Sequence, residues 1–136
     1  MGMTIVVKNE ISAIEPLSIT VSDVCAKNGI PDAIRDDVNL ALDEVIANVI
    51  MHGFGDSAEH NIIVQLCIDP GIISVTVEDE GVPFNPLSAP EPDLTAPIEL
   101  RPIGGLGIHL VKNLMDEIEY ERREGRNYLV MRKRVS

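Results

Sequence analysis

Two apolar segments joined by Asp69-Pro70-Gly71 constrain this chain more than anything else in it. Asn61 to Ile68 and Ile72 to Glu78 are rich in β-branched residues, and the Pro-Gly turn between them predicts an antiparallel hairpin. In the second segment Ile73, Val75 and Val77 alternate with Ser74, Thr76 and Glu78, so one face of the strand is apolar and the other polar. Such a sheet needs a cover on its apolar side, and the rest of the chain supplies one. Pro31 opens a helical segment in which Ile34, Val38, Leu42, Val45 and Val49 form a stripe, with His52-Gly53 as its stop. An earlier helix spans about Ile11 to Lys27 and ends at Asn28-Gly29, after a short strand from Thr4 to Lys8. From Leu106 the helical period returns through Leu110, Val111, Leu114 and Met115. Glu117 to Glu121 and Asn127 to Lys133 then read as a second hairpin, turning at Glu124-Gly125-Arg126.

This order of elements predicts an α+β fold, a two-layer sandwich in which helices cover one face of a mixed, mostly antiparallel sheet. At 136 residues a single domain, 1–136, is expected. Residues 82–103 hold six of the nine prolines and neither period, which reads as a lid or binding loop rather than a connector. Cys25 and Cys67 lack metal-like or disulfide-like spacing and read as small core residues. The basic Arg132-Lys133-Arg134 end reads as an exposed strand edge.

The net charge of −11 is uneven: residues 1–100 carry 17 acids and 3 bases (−14), and residues 101–136 carry 5 acids and 8 bases (+3). That field disfavours nucleic-acid binding. A phosphate ligand would also be repelled at long range, so a site for one calls for a bound cation and local backbone donors. No segment approaches the roughly 20 apolar residues that cross a bilayer, and a soluble cytoplasmic protein is expected, with no membrane partner.

Three polar signatures interrupt this apolar plan. Glu44 and Asn48 lie four apart on one side of the second helix. Asn48 sits inside the run Val45-Ile46-Ala47-Asn48-Val49-Ile50-Met51, where it should be buried and must find either a tertiary hydrogen bond or a ligand. Asp79 continues the apolar face of its strand, so its carboxylate points inward before Gly81; it can accept an amine hydrogen bond in a pocket or cap a neighbouring loop. Gly104-Gly105-Leu106-Gly107 opens the Leu110 helix, where unpaired N–H groups and the positive helix end favour an anion. It is neither a Walker motif nor a dinucleotide fingerprint, since no GK[ST] follows and no strand precedes it.

Together, Leu42-Asp43-Glu44-Val45-Ile46-Ala47-Asn48, Val77-Glu78-Asp79-Glu80-Gly81-Val82-Pro83-Phe84 and Gly104-Gly105-Leu106-Gly107-Ile108-His109-Leu110-Val111 resemble the N, G1 and G2 boxes of the GHKL (Bergerat-fold) ATPase superfamily. Asp-Glu-Gly-Val-Pro-Phe and Leu114-Met115-Asp116-Glu117 look like the RsbW-type anti-sigma factors, which are serine-protein kinases. The resemblance implies a cofactor set of ATP or ADP with Mg²⁺, and a role for each residue. Asn48 would ligate Mg²⁺ and Glu44 would be the catalytic base. Asp79 and Gly81 would receive adenine, and the N–H groups of Gly105, Leu106, Gly107 and Ile108 would hold phosphates. It also implies phosphorylation of a STAS-type anti-anti-sigma protein, a sigma factor as second partner, and a homodimer. Other readings are a nucleotide-dependent binding module without phosphotransfer and a GHKL ATPase of another signalling branch. Pro83 stands where many G1 boxes have a third glycine, and Arg101 in the lid could reach a phosphate or stay solvated.

Overall fold

The structure is a computed structural model that describes residues 1–52, 59–83, 85 and 105–135. The proline-rich lid therefore lies outside the described residues except at 82, 83 and 85, and so do Arg101 and Gly104. The described residues form β1 (Gly2–Lys8), a short 3-10 turn (Ile11–Ala13), α1 (Ile14–Lys27), α2 (Asp32–His52), β2 (Asn61–Asp69), β3 (Ile72–Asp79), α3 (Gly105–Leu114), β4 (Glu117–Arg123) and β5 (Arg126–Arg134). The strands make one sheet in the order β1-β2-β3-β5-β4, and all four pairings are antiparallel. The expected two-layer α+β architecture is the one the chain adopts.

Register explains the core. Ile5, Val64, Val77, Leu129 and Tyr120 are successive cross-strand partners, as are Met3, Leu66, Val75, Met131 and Ile118. These rows face α1, α2 and α3, whose Leu17, Val21, Val38, Leu42, Val45, Ile46 and Val111 are buried in the same cluster. Each such side chain contributes roughly 1.5–3 kcal/mol when taken fully out of water. The α1–α2 contact also has a polar seam: the Ser18 hydroxyl donates to Asp43 Oδ1 at 2.7 Å, and Asn39 Nδ2 donates to Ser22 Oγ at 2.8 Å. Burial pushes the Asp43 carboxyl above its ordinary value, with the Ser18 hydrogen bond opposing the rise.

Two expectations need correction. Cys25 is buried, but Cys67 is exposed, because β2 turns Ile62, Val64 and Leu66 inward and their alternates outward. The basic end is not a sheet edge, because the final hairpin folds β4 outside β5 and leaves β5 between two neighbours. Arg132 lies 3.2 Å from Glu117 and 3.5 Å from Glu119. Lys133 Nζ donates to the Leu114 carbonyl at 2.6 Å, closing the C-terminal end of α3, and stands 3.4 Å from Asp37 of α2. The hairpin itself turns through Glu124 (φ 52°) and Gly125 (φ 75°), the two left-handed residues of a type I′ turn.

Candidate functional site

Asp37, Ala41, Glu44 and Asn48 recur at the spacing of one flank of α2, the flank between its buried stripe and α3. Asn48 is accordingly only 8% exposed, and its Nδ2 is buried with no hydrogen-bond partner among the described residues. An orphaned amide of this kind costs about 1–3 kcal/mol unless a ligand satisfies it. Half a turn about its terminal torsion exchanges nitrogen for oxygen, so the same position can offer the oxygen that a hard cation prefers. The described residues contain no cluster of three or more His, Cys, Asp or Glu suited to a metal ion. The single amide at Asn48 suits a Mg²⁺ held by one side chain together with ligand phosphates.

Glu44, half-buried, points at the start of α3. A Cβ built on Gly107 would collide with Glu44 Oε2 and lie 3.4 Å from its Cδ. The absence of a side chain at Gly107 is therefore what lets the carboxylate lodge against the first turn of α3. Gly105 and Leu106 occupy that same turn, and Ile108 is 4% exposed, anchoring it. An N-terminal helix turn presents N–H groups with no intrahelical acceptor, which is chemistry suited to phosphate oxygens. The chain thereby brings together Glu44 of α2 and the glycines of α3, two signatures far apart in sequence.

Asp79 ends β3 on its inward face, 4% exposed, as alternation requires. Its Oδ1 accepts the Gly81 N–H at 2.8 Å and Asn127 Nδ2 at 3.0 Å. Gly81 is buried beside it, and its carbonyl accepts Arg122 Nη1 at 2.7 Å. Asn127, 5% exposed, is the register partner of Asp79 and also donates to the Val82 carbonyl at 2.9 Å, while the Tyr120 hydroxyl donates to Asn127 Oδ1 at 2.5 Å. Sequence reading singled out none of Asn127, Tyr120 and Arg122. The signal for Asn127 was present, since alternation with Leu129 and Met131 turns it inward just as it does Asp79.

Known proteins resemble the chain over almost its whole length. A model of the histidine kinase-like ATPase domain matches residues 7–133. The chain is 30% identical over 133 residues to serine-protein kinase RsbW of Bacillus mycoides, covering 94% of this chain and 81% of that protein. It is 32% identical over 133 residues to serine-protein kinase RsbW of Bacillus cereus, with the same coverage of each. Among solved structures, the RsbU and RsbW domains of a Mycobacterium tuberculosis protein superpose with a TM-score of 0.72 at 16% identity. That match covers 99% of this chain and 32% of the larger one, and it bears on the fold alone.

Proposed function

The chain belongs to the histidine kinase-like ATPase domain family and, within it, to the RsbW serine-protein kinases, and on that premise we propose that the cleft beside α2 and α3 binds ATP with Mg²⁺ and phosphorylates a serine of a partner protein. The observation that carries this reading is the carboxylate of Glu44 lodged against Gly107. It sets a proton acceptor beside the backbone donors that would hold a triphosphate. Bound Mg²⁺ would neutralise phosphate charge in a chain of net charge −11.

Asn48 would turn its amide oxygen to the cation. Asp79 would accept the adenine amino group, with Gly81 leaving room for the ring. The N–H groups of Gly105, Leu106, Gly107 and Ile108 would orient the phosphate oxygens. Glu44 would take the proton from the attacking serine hydroxyl as the new Oγ–P bond forms and the bond to the ADP oxygen breaks. The partner is proposed to be a STAS-type anti-anti-sigma protein and the regulated target a sigma factor, with the kinase acting in the cytoplasm as a homodimer. Among the described residues no helix is long and apolar enough to cross a membrane.

Transfer of labelled γ-phosphate to a STAS-domain protein tests the reading. Glu44→Gln should lower the transfer rate at least about 100-fold, within the range of general-base catalysis, while ATP binding by calorimetry persists. Equal transfer by wild type and variant would overturn the role of Glu44. ATP binding without any transfer would instead leave a nucleotide-dependent binding module.

A further inference from the structure

The hydrogen bonds behind Asp79 are arranged so that only one outcome is open to its carboxylate. A backbone carbonyl can only accept, so the end of the Asn127 amide that faces Val82 must be Nδ2. The other end is then Oδ1, which has no proton and must take one from the Tyr120 hydroxyl. Both ends of the amide are therefore fixed, and so is its direction. Asp79 Oδ1 receives two N–H donors, from Gly81 and from Asn127, and its capacity is used. What remains for a ligand is the other carboxylate oxygen, an acceptor that calls for a donor.

We propose that Asn127 and Tyr120 are positioning residues that hold Asp79 as a one-sided acceptor and thereby make the site select a 6-amino purine over a 6-oxo purine. This rests on the proposed assignment of Asp79 to the base. A 6-amino group donates to the free oxygen. A 6-oxo group presents a second acceptor to it, and a site built around one hydrogen-bonding polarity rejects the opposite one strongly. Asn127 cannot turn to rescue the 6-oxo base, because its N–H groups are engaged by Val82 and Asp79 and its oxygen by Tyr120. Asp79 and Asn127 are cross-strand partners at the last rung of the β3–β5 ladder, which fixes their spacing.

The test compares ADP with inosine diphosphate, which differ in the 6-substituent and in the proton that the 6-oxo base carries on N1, by calorimetry on wild type, Tyr120→Phe and Asn127→Leu. Wild type should prefer ADP by at least about 100-fold, the scale on which unmatched polar groups discriminate. Tyr120→Phe, which loses only an oxygen, should cut that preference about tenfold, and Asn127→Leu should cut it further. A merely structural role would weaken both ligands alike and leave the ratio where it was. If wild type binds neither nucleotide, the ATP site itself is overturned. If wild type prefers ADP but both variants keep the ratio within about twofold, or if wild type binds the two equally, the positioning role alone is overturned.

Discussion

Asn48 and Asn127 are buried to nearly the same degree, at 8% and 5% exposure, yet they are in opposite chemical states. On β5, Asn127 uses both ends of its amide among the described residues, bonding Asp79, Val82 and Tyr120. On α2, Asn48 leaves Nδ2 with no partner among them. Burial alone therefore does not separate an amide that the fold satisfies from one that it leaves open; the hydrogen bonds do. Asn39 lies between these cases, with Nδ2 bonded to Ser22 and Oδ1 without a partner among the described residues. Under-satisfied acceptors with two lone pairs are commoner than orphaned donors, so Asn39 reads as part of the α1–α2 seam.

Five substitutions break or sharpen this contrast, beginning with the background against which both asparagines are measured. Leu66→Ala, in the apolar row of the sheet, should cost about 2–5 kcal/mol in urea unfolding, setting the scale of pure packing. Asn127→Ala should cost about 1–3 kcal/mol by the same measurement, because it strands a buried carboxylate and a hydroxyl. Gly107→Ala places a methyl where Glu44 Oε2 lies. It should raise stability by about 0.5–1 kcal/mol through helix propensity while slowing phosphotransfer, two readouts moving in opposite directions.

Asn48→Leu should leave stability unchanged or raise it by up to about 1 kcal/mol, since an unpartnered amide is removed. Nucleotide binding that depends on Mg²⁺ should be lost in the same variant. A loss of stability as large as that of Asn127→Ala would mean that Asn48 is held by the fold after all. The smallest effect concerns Asp43, whose carboxyl is raised above its ordinary 3.8. The folded state holds that proton more tightly than the unfolded one. Its contribution is thus complete below the ordinary value and is lost as pH climbs through the raised one. Asp43→Asn keeps an acceptor for Ser18 and should flatten the fall in the urea midpoint as pH rises above the ordinary carboxyl value.

Much of this was legible from local pattern. Alternation along β3 placed Asp79 on the inward face, because that period is a property of the backbone itself, and the apolar run Val45 to Met51 placed Asn48 among core residues. The Pro70-Gly71 and Glu124-Gly125 turns likewise marked both hairpins. The same patterns left Cys67 and the Arg132-Lys133-Arg134 end misread. For Cys67, alternation was available and the residue type was followed instead. For the basic end, the reading needed to know which strand lies outermost, and hairpin signals do not encode strand order.

The sequence by itself determined the order of elements, the apolar face of each, and the burial of the polar residues that those faces carry. Tertiary structure decided the partnerships: that Asn127 stands across from Asp79 in the ladder, that Glu44 rests against Gly107, and that Asn48 Nδ2 meets no partner among the described residues. The physical reason is range. Periodicity acts over a few residues and is written in each segment, whereas a hydrogen bond between side chains 48 residues apart exists only once register and packing have closed the loop between them.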